Sequence, residues 1–103
     1  MINYPPYRAY IITFNRKLFE SLDYSKFHTD LTTASAIIDW WHFLENAYIV
    51  IVESRFTATD INNYLMQIAP NKNFFVCQLN LSDHNGWLPP QAWDWVNRYI
   101  NNT

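Results

Sequence analysis

Glycine is nearly absent, with Gly86 the only one in 103 residues. Loops that cradle phosphate with backbone N–H groups need several glycines to approach the ligand, which excludes P-loop and Rossmann-type nucleotide binding. Cysteine is as scarce. Cys77 stands alone, so no intrachain disulfide can staple the fold, and a reducing, cytoplasmic setting is expected. Lying in an apolar run without a Cys-x-x-Cys partner, Cys77 reads as an inert buried thiol. Basic charge is thin too: the seven Lys and Arg residues are scattered, only Arg16 and Lys17 are adjacent, and the net charge is −2. Binding nucleic acid through its phosphates needs a clustered basic face, so the composition speaks against that class. The longest apolar stretch, residues 47–52, falls far below the roughly 18 residues that span a bilayer, and no basic segment followed by an apolar run opens the chain. A soluble protein with no signal peptide and no membrane partner is expected.

What the chain has in abundance is apolar and aromatic mass, at 50% and 18% of residues. At this length one domain is expected, able to bury roughly two thirds of its unfolded surface. All five tryptophans fall in two stretches, Trp40-Trp41-His42-Phe43-Leu44 and residues 86–95, which hold Trp87, Trp93 and Trp95. Large side chains with one polar N–H suit core anchors, interface anchors or a base-stacking platform, and anchors are the simpler account. Trp93 and Trp95 lie two apart on a predicted helix and cannot share a face, so one must pack inward.

Patterning along the chain predicts three helices and four strands. The β-branched and aromatic run 8–14 reads as a strand. Tyr24, Phe27, Leu31, Ala34 and Ile38 recur at helical spacing behind Asp23 or Ser25 as cap. Residues 40–44 and 47–52 flank Glu45-Asn46 as a β-hairpin. Thr57, three residues before Asp60, opens a second helix with Ile61, Tyr64, Leu65 and Ile68 on its buried face, closed by Pro70. Residues 73–81 read as the last strand, and Pro90 begins a third helix carrying Trp93, Val96, Tyr99 and Ile100. The order βαββαβ plus a terminal helix is an α+β, ferredoxin-like arrangement: an antiparallel sheet with helices on one face and the first and third strands central. Both central strands are apolar at both parities, so the second face must be sheltered, and a second subunit helped by the last helix is expected to do it.

The segments Tyr10-Ile11-Ile12-Thr13-Phe14-Asn15, Trp40 to Leu44 and Gly86 to Trp95 resemble those of small bacterial proteins labelled SinR-like. These are related to the CRISPR-associated adaptation subunit, and the resemblance implies a ferredoxin-like homodimer acting as an interaction module. The wider superfamily includes metal-dependent endoribonucleases, among them the VapD toxins, whose metal-binding acid ends the first strand. Here that position is Asn15, and an amide lacks the anionic oxygen that holds Mg²⁺. The resemblance therefore implies a non-catalytic chain without cofactor. A nuclease using Mg²⁺ or Mn²⁺ is the alternative, and a non-cleaving nucleic-acid-binding regulator a weaker one.

The predicted topology gathers Asn15, Arg16, Lys17, Glu45, Asn71 and Lys72 at one edge of the sheet. Such a mixed-charge cluster can hold a phosphate or a carboxylate, although charged loop ends are ordinarily just solvated. His42 among aromatics, His84 beside Asp83 and His28 on the first helix show no metal-ligand spacing and read as hydrogen-bonded structural histidines. No nucleophile-elbow motif is present.

Overall fold

The computed structural model describes residues 6–100. Strand β1 (Tyr7–Thr13) leads through a short 3-10 turn (Arg16–Leu18) to helix α1 (Ser21–Thr32). Strands β2 (Asp39–Leu44) and β3 (Ala47–Glu53) form the hairpin, followed by helix α2 (Ala58–Ile68), strand β4 (Phe75–Leu79) and helix α3 (Pro90–Tyr99). The sheet order is β2-β3-β1-β4 with every pairing antiparallel, so β1 and β3 are central as the split-βαβ reading requires. No helix of the described residues is long and apolar enough to cross a membrane.

The two parities of the central strands feed two separate cores. Tyr10, Ile12, Tyr48, Val50 and Val52 pack under Phe27 and Leu31 of α1 and Ile61 and Leu65 of α2. Ala9, Ile49 and Ile51 point the other way and pack with Trp41, Leu81 and the α3 residues Ala92, Trp95 and Val96. The chain's own last helix, expected to help a second subunit shelter this face, thus covers this part of it. Tyr99 pins the far end of α3 by donating its hydroxyl proton to Asp39 at the start of β2. Burial, reinforced by that hydrogen bond, pushes the Tyr99 pKa up to about 12.

Helix boundaries follow their caps. Thr57 and Asp60 form the reciprocal capping box that the sequence predicts for α2. Pro90 occupies the first turn of α3, where its missing N–H costs nothing. α1 departs from expectation at both ends. It starts at Ser21 behind Glu20, earlier than a cap at Asp23 or Ser25 allows, and stops at Thr32, short of Ala34 and Ile38. Thr32 and Thr33 turn their hydroxyls back onto the carbonyls of His28 and Thr29, and Ile38 already donates to the Ile51 carbonyl of β3. The threonines compete with the helical ladder, and sheet pairing captures the isoleucine.

Candidate functional site

The end of β1, the hairpin tip and the turn after α2 do converge, but the polar groups there hold the chain together. Asn15 Oδ1 accepts the Lys17 backbone N–H at 3.1 Å, capping the 3-10 turn. The Arg16 N–H donates to Asn46 Oδ1 at 2.8 Å, and Phe14 N–H donates to the Asn46 carbonyl, tying the strand end to the hairpin tip. Lys72 reaches the Leu18 carbonyl and lies 5.0 Å from the centre of the Phe19 ring. Lys17, Glu45 and Asn71 are exposed. Asn15, Arg16, Asn46 and Lys72 therefore act as loop fasteners.

This edge does not offer the donor set of a divalent-metal site. The Asn15 amide is spent on the backbone, and among the described residues no three His, Cys, Asp or Glu side chains are grouped. Mg²⁺ or Mn²⁺ would find no anionic oxygen from position 15.

A different polar cluster lies under the β2 edge, between α1 and the hairpin. His42 Nδ1 is 2.8 Å from the Ala47 carbonyl, an acceptor only, so Nδ1 carries the proton and Nε2 accepts from the Tyr24 hydroxyl. The Tyr24 oxygen then accepts from the Tyr48 hydroxyl at 3.1 Å, and the Tyr48 oxygen accepts from His28 Nδ1 at 2.6 Å. With both histidines neutral, each of the three contacts holds a proton only when the chain runs in that direction. The Arg16 guanidinium lies 3.8 Å from the Tyr24 ring centre, a cation–π contact, while its Nη1 donates to the Phe19 carbonyl. Burial is the largest influence lowering the His42 pKa, with His28 and Arg16 adding to it, and burial likewise raises the Tyr48 hydroxyl.

His28 is thus not a bare surface histidine of α1. It is half-buried, its ring centroid 6.1 Å from that of His42 and 5.1 Å from that of Trp40, which it meets edge to face. Sequence spacing hides this cluster because its members come from α1, β2 and β3. The legible signal is the helical step from Tyr24 to His28 opposite a histidine-bearing strand.

The tryptophans divide sharply. Trp41 and Trp95 are buried core anchors, and among the described residues their indole N–H groups have no partner, so they contribute through apolar area. Trp93 is half-buried and stacks on His84, which itself bonds the Leu81 carbonyl through Nδ1. Trp40 is 38% exposed and Trp87 is 99% exposed. Cys77, expected to be buried, is exposed, because β4 is an edge strand and α3 does not reach that part of the face.

A cleft of about 390 Å³ between α1 and α2 is lined by Leu31, Ile37, Val52, Phe56, Ile61 and Tyr64. Two of its polar groups are engaged within the fold, Asp60 in the capping box and the Tyr64 hydroxyl on the Asp30 carbonyl. Comparison of the chain with protein-family models, with curated proteins and with solved structures finds no match.

Proposed function

We propose that this chain is a non-catalytic, homodimeric interaction module of the SinR-like kind, working in the cytoplasm, and that the second copy seats on the part of the sheet that α3 leaves open. One observation carries the reading. α3 covers the end of the face at Ala9, Ile51 and Trp41, while Phe75 remains 64% exposed beyond it. The antiparallel register sets Ile11 opposite Cys77 and Thr13 opposite Phe75, and Phe43 joins this surface beside Trp41. None of these side chains carries a charge, so a two-fold axis through the patch opposes no like charges and buries apolar surface on both copies.

Sedimentation of the full chain at micromolar concentrations tests this. A dimer is expected, with Phe75→Lys giving a monomer of unchanged circular dichroism. Alkylation of Cys77, which lies on the same patch, should slow as protein concentration rises. A monomeric native chain whose Cys77 labels at a concentration-independent rate overturns the proposal. Incubation with RNA in Mg²⁺ or Mn²⁺ tests the non-catalytic part, since cleavage by the native protein would reverse it.

A further inference from the structure

The cluster of Arg16, Tyr24, His28, His42 and Tyr48 lies on the opposite face of the sheet from the dimer patch and is independent of it. Its chemistry follows from counting protons. In the neutral chain the bonds run from His28 Nδ1–H to Tyr48, from Tyr48 to Tyr24, and from Tyr24 to His42 Nε2, with the remaining His42 proton on the Ala47 carbonyl. An added proton on His28 Nε2 leaves every one of those bonds in place. An added proton on His42 Nε2 is also accommodated, by reversing all three bonds and leaving His28 protonated at Nε2. Two added protons are not, because both ends then donate inward and one tyrosine hydroxyl loses its acceptor. The hydrogen-bonded chain of four residues therefore has room for a single extra proton.

The surroundings set what that proton answers to. α1 contributes Tyr24 and His28, β2 contributes Trp40 and His42, β3 contributes Tyr48, and the turn after β1 contributes Arg16. The ion pairs among the described residues join Lys26 to Asp30 and Arg55 to Glu53, and neither involves this cluster. Arg16 makes its side-chain hydrogen bond to a carbonyl, so among the described residues a fixed positive charge and a proton-accepting pair sit together with no carboxylate bonded to either. An anion at this place is attracted by Arg16 and draws the shared proton onto the histidines. Beside His28, partly exposed Trp40 offers an aromatic surface at the rim.

We propose that this cluster is a proton-coupled anion site that takes the phosphate of a nucleotide, with His28 and Arg16 on the phosphate and Trp40 stacking on the base. The phosphate arrives, one proton is taken up from solvent, and the hydrogen-bonded chain spreads the resulting charge between His28 and His42 without breaking a contact.

The test is an NMR titration of the histidine Cε1–H signals of the full chain, alone, with sulfate, and with adenosine 5′-monophosphate. Sulfate does not titrate in this range, so any pH dependence of its binding belongs to the protein. We expect the two histidine signals to move together with one shared midpoint, which both anions raise. Sulfate affinity should fall about tenfold per pH unit above that midpoint. Trp40→Ala should weaken the nucleotide several-fold and leave sulfate unchanged, and His28→Gln should abolish the pH dependence of sulfate binding. Tyr48→Phe should uncouple His42 from the anion, and His28→Gln provides the same comparison if that variant does not fold. A shared midpoint that neither anion moves overturns the site. Two independent midpoints overturn the relay, and equal effects of Trp40→Ala on both anions overturn the nucleotide assignment.

Discussion

The imidazole of His42 lies flat on the phenol of Tyr48, with ring centroids 3.8 Å apart and planes 8° from parallel. The two side chains come from paired strands, β2 and β3, and each also bonds to Tyr24 of α1. The stack thereby joins the hairpin to the helical layer through a polar knot beside a core of aromatic and aliphatic side chains.

Stability should depend on that knot. Removing the Tyr48 hydroxyl in Tyr48→Phe takes the acceptor from His28 Nδ1 and the donor from the Tyr24 oxygen, while the Tyr24 bond to His42 stays. Leaving buried polar groups unsatisfied costs about 1–3 kcal/mol, which a shift of the urea midpoint at unchanged slope would report.

The pH dependence follows with a definite sign on each limb. His42 has its pKa lowered, chiefly by burial, so the unfolded chain binds more protons than the native one in acid. The stabilisation from a neutral His42 is complete above the ordinary histidine value of about 6.5 and is lost as pH falls from there towards the lowered native value. Tyr48 is raised, so its contribution is complete below the ordinary tyrosine value of about 10 and declines as pH rises beyond it. Urea midpoints measured across both limbs check this, and His42→Gln should flatten the acid limb.

At the start of α2, Thr57→Ala removes the side chain that accepts the Asp60 N–H and half of the capping box. A loss of about 1 kcal/mol is expected in thermal or urea unfolding. Thr57→Ser, which keeps the hydroxyl that also donates to Asp60 Oδ2, should recover most of it.

The tryptophans offer a paired test of which aromatic mass holds the fold. Trp95 is 6% exposed and anchors α3 to the sheet, so Trp95→Ala should cost about 3–5 kcal/mol. Fully exposed Trp87 contributes little to the monomer, and Trp87→Ala should stay within about 0.5 kcal/mol of the native protein. Equilibrium unfolding of the two variants side by side decides it.

Much of the architecture was legible in local pattern. The double parity of β1 and β3 foretold that they would be central, because a strand exposed on one side keeps that side polar, and α3 covers their second face at Ala9, Ile49 and Ile51. The Thr57 and Asp60 spacing and Pro90 foretold where α2 and α3 begin, because caps act within one turn of chain. The end of α1 was not legible in the same way. Ile38 continues the helical period, yet it gains more from a hydrogen bond to Ile51, and that partner lies in another element.

The candidate sites show the same division more strongly. Asn15, Arg16 and Lys72 do meet at a sheet edge, as the strand order requires, but whether they face a ligand or fasten a turn depends on angles and distances. Cys77 reads as buried because its strand is apolar, while its exposure comes from the reach of α3 across the sheet.

By itself, the sequence determined the order and type of the elements, the absence of glycine-rich phosphate loops and the need to cover a sheet on both faces. These are short-range properties of backbone preference and side-chain period. Only the tertiary structure decided how far α3 reaches across the second face and that Tyr24, His28, His42 and Tyr48 close into one hydrogen-bonded chain. Burial and hydrogen bonding between residues far apart in sequence are set by how helices and strands pack, and no local pattern encodes the distance from one side chain to another across that packing.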